Sequence, residues 1–372
     1  MRLRRHNRRS EYRPMGDLSA QGPQRQAPPL LGADRPAASR PQRGRWGHAQ
    51  AFAALDLGTN NCRLLIARPH HADNGGTGFA VIDAFSRIVR LGEGLAASNR
   101  LSDAAIERTL AALRICADKL KRRNVTLARS VATEACRRAE NGAAFIAQAY
   151  RETGIHLDII SAEEEARLAV LGCHVLIEPG EGPALIFDIG GGSTELVLVD
   201  TEGDAPRVLD WHSAPWGVVS LTEHAGRPAE RDGRDGRVAA YARMRSLVAD
   251  SFAPFAARLP ARGPRARLLG TSGTVTTLGS VHLGLACYDR SAVDGLVVPA
   301  PAMRRISGDL AGMDVHERAQ LPCIGNERAD LVVAGCAILE TIMDLWPAER
   351  LGIADRGIRE GILRRLMGAR RP

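Results

Sequence analysis

The sequence has no run of about 18 uninterrupted apolar residues, which excludes a membrane-spanning helix. It has no CxxC pair either. Its seven cysteines (Cys62, Cys116, Cys136, Cys173, Cys287, Cys323 and Cys336) are scattered and odd in number. That pattern speaks against a disulfide framework and against a zinc site, and fits a reducing cytoplasm. The histidines, among them His174, His212, His224, His282 and His316, show no ligand spacing and read as structural or exposed. Near the start there is no apolar stretch of about 7–15 residues, so no secretory signal is expected.

Net charge is absent from most of the chain as well. The formal charge is +8, but residues 1–50 hold 11 arginines against Glu11, Asp17 and Asp34, which accounts for all of it. The rest carries 39 basic and 39 acidic side chains. A neutral body lacks the basic face that specific nucleic-acid binding needs. The head also holds six prolines and few large apolar residues. It cannot bury enough surface to offset chain entropy, and residues 1–50 are expected to be disordered. Such a head either holds polyanions loosely, is a solvated extension, or marks a chain whose translation starts at Met15 or later.

What remains is long enough for two domains. From Ala51, AFAALDLGTNNCRLLIARP reads as strand, polar turn, strand, and FAVIDAFSRIVRLG adds β-type sequence. A helix follows, capped by Ser102, with Ile106, Leu110, Leu113, Ala117 and Leu120 on one face. SVATEAC reads as a strand entering a helix near Arg137. In LDIISAEEEARLAVLGCHVLI, Ser161 is a good N-cap and Glu164 stands where a capping box places its acid. Leu168, Leu171, Gly172, Val175 and Leu176 mark the buried stripe, and Glu164 and Glu165 both lie within about 60° of its centre. Two carboxylates near a buried face at a helix start are unusual.

PALIFDIGGGSTELVLVD then repeats the opening pattern, LDLGTNNCRLLIA against FDIGGGSTELVLV. A repeat at domain scale implies duplicated lobes facing one cleft, divided here as 51–176 and 177–372. Helices are expected around Gly236–Leu259 and along ADLVVAGCAILETIMDLW, then a strand-turn at LGIADRG and a closing helix at IREGILRRLMG. Glycine-rich turns of this kind admit positive φ, bring backbone N–H groups close to an anion, and gain hydroxyl donors from Ser193 and Thr194. A third such turn stands at Gly270–Gly273. Asp56 and Asp188, just before the first two, can hold a divalent cation, since Mg²⁺ favours carboxylates together with phosphate oxygens.

In chain order, LDLGTNNCRLLIA, RLGEGL, ATEACRRAEN, SAEEEARL, FDIGGGSTELVLV, WGVVSLTE, GTSGTVTTLG and ADRGIREGIL resemble the exopolyphosphatase/guanosine pentaphosphate phosphatase (Ppx/GppA) family from about Ala51 to Met367. The resemblance implies an α/β fold of two ribonuclease-H-like lobes, as in actin, Hsp70 and sugar kinases, with a phosphate chain in the cleft. It implies Gly58, Thr59 and Asn60 as a first phosphate loop, and Asp188, Gly190, Gly191, Gly192, Ser193 and Glu195 as a second. Gly270, Thr271 and Ser272 match the third turn, Glu165 the water-activating carboxylate, and Glu134 a second carboxylate. Arg90 and Arg137 match basic positions suited to phosphate oxygens. The chain ends near the close of the second lobe, without the helical C-terminal domains of longer members. Those domains extend the binding channel and support dimers, so a homodimer is left open.

The expected activity is Mg²⁺-dependent release of orthophosphate from polyphosphate ends. The same chemistry on guanosine pentaphosphate is the alternative. A phosphotransferase sharing the DLGT turn and a non-catalytic polyphosphate or nucleotide sensor are readings of other classes. Trp211 and Trp216 are expected in core or interlobe packing rather than as a base-stacking platform.

Overall fold

The computed structural model describes residues 50–71, 77–203, 206–226, 233–260 and 266–368. The head expected to be disordered lies outside the described residues, apart from Gln50. No helix among the described residues is long and apolar enough to cross a membrane.

The chain folds around two mixed sheets built to one plan. In the first, β1 (Ala51–Leu57) pairs antiparallel with β2 (Asn61–His71), and β3 (Thr77–Ile88) lies beyond it. On the other side stand β4 (Val125–Ala132) and β5 (Leu157–Ile159), both parallel, giving the order β3-β2-β1-β4-β5. The second sheet is centred on β6 (Ala184–Ile189), with β7 (Thr194–Asp200) and β8 (Arg207–Ala214) as its antiparallel arm. β9 (Arg267–Thr271) is parallel to β6, and β10 (Val297–Pro299) and β11 (Arg350–Ala354) complete the order β10-β11-β9-β6-β7-β8. Apart from the edge strand β10, the second sheet repeats the first. This is the duplicated two-lobed α/β fold that the internal repeat implies.

Strand position follows from apolar pattern. AFAALDL and ALIFDI are buried along nearly their whole length, as central strands with cover on both faces must be. Helix starts follow from capping. The Ser102 hydroxyl accepts from the Ala105 N–H at 3.3 Å, opening the helix Asp103–Arg122. Ser161 does the same for the helix Ala162–Cys173, accepting from the Glu164 N–H at 3.2 Å.

Three local expectations need correction. Glu164 does not close a capping box: its carboxylate turns to Arg129 and Arg365, at 3.1 and 2.5 Å. Ion pairing across the helix surface wins over the cap. Val175 is exposed rather than part of the stripe, because the helix ends at Cys173 and the chain tightens into a 3₁₀ turn. The helix expected near Arg137 is a single turn, Glu134–Arg138, and a separate helix runs over Gly142–Thr153.

The last helix, Ile358–Gly368, follows the second sheet in sequence but packs on the first. Ile358, Ile362 and Leu363 join Phe52, Ala54, Leu65, Val131 and Leu168 in one apolar cluster. Here two helix backbones touch. A Cβ on Gly361 would stand 2.0 Å from the Leu168 carbonyl oxygen, and one on Gly172 would stand 1.9 Å from that of Gly357. Helix propensity alone favours alanine over glycine by about 1 kcal/mol. Gly361→Ala is nevertheless expected to destabilise by about 1–3 kcal/mol in urea unfolding, because the contact has no room for a methyl group. A variant as stable as the parent, or more so, would contradict this packing.

Candidate active site

The first two glycine turns have the same geometry. Gly58 N–H donates to the Asn61 carbonyl at 2.9 Å, and Gly190 N–H donates to the Ser193 carbonyl at 3.0 Å. The loop carbonyls are held from behind. Thr59 O accepts from Gly92 N–H, and Asn60 O from Val89 and Arg90 N–H. In the second half, Gly190 O accepts from Val218 N–H, and Gly191 O from Val219 and Ser220 N–H. With the carbonyls bound away, the N–H groups of Thr59, Asn60, Gly191 and Gly192 meet no acceptor among the described residues. Such N–H rows are anion cradles.

At positions 191 and 192 glycine is required by crowding. None of Gly58, Gly190, Gly191 and Gly192 has a positive φ, so the conformational freedom expected of them is not what the fold uses. A Cβ on Gly191 would lie 2.9 Å from Thr59 Cβ, and one on Gly192 would lie 2.7 Å from Thr59 Oγ1 and 2.8 Å from Glu134 Cγ. The two loops therefore touch. Behind them, a Cβ on Gly92 would meet Thr59 Cγ2 at 2.3 Å, and one on Gly217 would meet Gly191 C at 2.4 Å. RLGEGL and WGVVSLTE thus supply equivalent buttresses.

A cavity with about 70 Å³ of room for solvent lies where the loops meet. Its lining includes Asp56, Gly58, Thr59, Asn60, Glu134, Glu165, Asp188, Gly190, Gly191, Gly192, Ser193, Thr271 and Ser272, all expected from sequence. It also includes Asn61, Arg63, Thr133 and the turn Asp355–Arg359, which were not singled out. That turn is a further Asp-X-Gly at a strand end, so its signal was present in ADRGIREGIL. Ser272 is the strained member, with φ 83° and ψ −177°, a region nearly restricted to glycine.

Five predicted residues, Arg90, Arg137, Thr194, Glu195 and Gly270, are placed outside the lining. Arg137 donates to Glu134 Oε2 and to the Ile160 carbonyl, each at 2.6 Å, and reaches Glu165 Oε2 at 3.4 Å. It bridges the two candidate carboxylates. Arg90, with φ 48°, bonds Asp330 at 3.1 Å and the Glu327 carbonyl at 3.1 Å, tying the first lobe to the second. The Thr194 hydroxyl donates to the Trp216 carbonyl at 2.6 Å, and Ser193, though lining the cavity, donates to Glu195 Oε1 at 2.8 Å. Both hydroxyls expected to face an anion are thus engaged within the protein. Gly270 lies within β9, where a Cβ would strike Phe187 at 2.4 Å. Trp211 and Trp216 pack against apolar clusters.

Acidic groups crowd this site. Burial pushes the Glu165 carboxyl well above its ordinary range; Glu195 adds to the rise and Arg137 opposes it. Burial likewise lifts Glu195 to about 7, with Asp188 adding and the Ser193 and Ser213 hydroxyls opposing. Asp188 rises to about 6 through burial and Asp56, against Arg63. Asp56 rises through burial, against Arg63 and Arg359. Groups so disposed hold or exchange protons near neutral pH.

No three His, Cys, Asp or Glu side chains gather in a metal-holding group among the described residues. A hard cation needs less from the protein where phosphate and water complete its shell. Asp56 and Asp188 fit that role: both line the cavity, both have raised pKa values, and buried Asp56 Oδ1 has no hydrogen-bond partner.

Comparison with known proteins gives the family and the fold. Residues 70–369 match the Ppx/GppA phosphatase family. The chain is 31% identical over 333 residues to exopolyphosphatase 2 of Mycobacterium tuberculosis, covering 85% of this chain and 98% of that protein. It is 30% identical over 319 residues to guanosine-5'-triphosphate,3'-diphosphate pyrophosphatase of Aeromonas salmonicida, of which it spans 59%. The crystal structure of the Aquifex aeolicus member of the Ppx/GppA family superposes with a TM-score of 0.68 at 27% identity, covering 87% of this chain and 99% of that one. An exopolyphosphatase from Cytophaga hutchinsonii, 22% identical, shares the fold with a TM-score of 0.71 over 86% of this chain and 98% of its own.

The buried carboxylates carry a testable cost. The folded protein keeps Asp188 protonated to about pH 6, whereas its ordinary pKa is 3.8. Between those values the folded state holds the extra proton, so stability falls as pH rises. Asp188→Asn removes that loss. Measured by urea unfolding in the presence of a chelator, the variant should gain up to about 3 kcal/mol on the parent between about pH 4 and about pH 7. A stability difference that does not change with pH would contradict the placement of Asp188.

Proposed function

The chain belongs to the Ppx/GppA phosphatase family, and we propose that it is an exopolyphosphatase, releasing orthophosphate from the ends of inorganic polyphosphate. The observation that carries this reading is the meeting of two backbone anion cradles at one cavity with Glu165 on its wall. Among the described residues no aromatic side chain lines that cavity, so it is suited to grip phosphate rather than to stack a base. Guanosine pentaphosphate is the second candidate substrate, favoured by the Aeromonas relative.

Phosphoanhydride hydrolysis is mainly positioning and charge neutralisation. The terminal phosphate would rest against the N–H groups of Thr59, Asn60, Gly191 and Gly192. Asp56 and Asp188 would hold a divalent cation, which supplies positive charge for the phosphate oxygens. Glu165 would orient the attacking water and take its proton as the new P–O bond forms. The bridging P–O bond breaks, and its electron pair stays on the shortened chain. Arg137, shared by Glu134 and Glu165, keeps an ionised form of Glu165 available despite burial.

Glu165→Gln is expected to lower kcat by about 10²–10⁴ while substrate affinity stays within a few-fold. The unaltered enzyme should lose kcat/KM on acidification, along a limb whose apparent pKa lies above the ordinary 4.5 of a glutamate. Undiminished phosphate release by the variant would remove Glu165 from the mechanism. Phosphate release from polyphosphate and from guanosine pentaphosphate, compared at equal enzyme and Mg²⁺, ranks the two substrates. Faster release from the nucleotide would reverse the order proposed here.

A further inference from the structure

Most arginines around the cleft are already committed. Arg137 serves Glu134 and Glu165, Arg356 pairs with Asp294 at 2.7 Å, Arg328 donates to the Thr277 hydroxyl at 2.7 Å, and Arg90 pairs with Asp330. Arg63 and Arg359 are different. Both line the cavity, and neither guanidinium has a hydrogen-bond or ion-pair partner among the described residues. None of their nitrogens is sealed away from open space. Glu360, the acid next to Arg359, is taken by Arg290 at 3.0 Å and by the Gly357 N–H at 2.9 Å.

The two charges stand together. Each opposes the rise of the Asp56 pKa, and Arg63 adds to burial in depressing that of Arg359. They also have firm mounts. Arg63 lies on β2 directly opposite Asp56 in the β1 register. Arg359 is in the first turn of the closing helix, between Ile358 and Glu360, both buried. Two part-buried guanidiniums facing one space repel each other, and an anion placed between them relieves that repulsion. The loops offer backbone donors, whereas a guanidinium offers a planar fork suited to two oxygens of one phosphate.

We infer that Arg63 and Arg359 clamp the phosphoryl group being transferred and neutralise charge on its equatorial oxygens. This rests on the hydrolase reading above. It makes Arg359, from the very end of the fold, a catalytic residue alongside Glu165.

The test uses the full chain with Mg²⁺ and tripolyphosphate. Arg359→Gln should lower kcat/KM by about 100-fold or more, and Arg359→Lys should recover less than about tenfold of that, since lysine lacks the fork. Millimolar guanidinium should restore part of the rate to Arg359→Ala, which a purely structural role would not allow. Orthophosphate binding by calorimetry should weaken about tenfold in Arg359→Gln. If that variant does not fold, Arg63→Gln carries the same expectations. A variant within threefold of the parent in kcat/KM and in orthophosphate affinity overturns the clamp. So does a loss of rate with no guanidinium response and unchanged orthophosphate binding. The binding arm needs no turnover: a parent that hydrolyses neither chain defeats the hydrolase reading, while orthophosphate affinity still decides the clamp.

Discussion

The close approach of two glycine loops is the contact on which the rest of this molecule depends. Loop 58–61 of the first lobe and loop 190–193 of the second approach so closely that the Cβ of any residue at 191 or 192 would strike Thr59 or Glu134. Neither loop carries this alone. Each is pinned by hydrogen bonds from the chain after its own hairpin, at 89–92 and at 218–220, and each buttress contains a glycine with no room for a side chain. Once the carbonyls are bound from behind, the free N–H groups are left at the meeting point. The packing thus leaves donors grouped where an anion could bind.

Electrostatics pulls against that arrangement. Four carboxylates, Asp56, Glu165, Asp188 and Glu195, are buried near one another, and all have pKa values pushed upward. Arginines oppose the rise, since the body of the chain holds only two lysines, Lys119 and Lys121, both on the outer helix Asp103–Arg122. The result is a carboxylate cluster short of compensating positive charge. Strain at Ser272 belongs with this: unfavourable backbone angles are tolerated because the surrounding strands hold the turn in place.

Much of this was legible in the sequence. The duplication was visible as DLGTNN against DIGGGST, and it predicted both sheets and the common cavity because strand-turn-strand patterns carry their own hydrophobic period. Periodicity placed Glu164 and Glu165 alike near the inner side of their helix, and only Glu165 is buried there. Side-chain partnerships were less visible. The Thr194 hydroxyl, the cross-lobe pairing of Arg90, and the turn of Glu164 toward Arg129 all depend on residues distant in sequence. Docking of the closing helix on the first sheet was hidden for the same reason, and with it the approach of Arg359 to the site. Of the two roles expected of the glycines, unusual φ and close backbone approach, the first is absent at all four positions, and at 191 and 192 the structure uses the missing side chain.

The central claim is that both glycine loops hold one terminal phosphate beneath Glu165. A crystal structure of the Glu165→Gln protein with Mg²⁺ and a short polyphosphate addresses it directly. The account predicts the terminal phosphorus between the N–H groups of 59–60 and 191–192, with residue 165 facing it across one water. A phosphate chain bound elsewhere, or touching a single loop while residue 165 faces away, would contradict it.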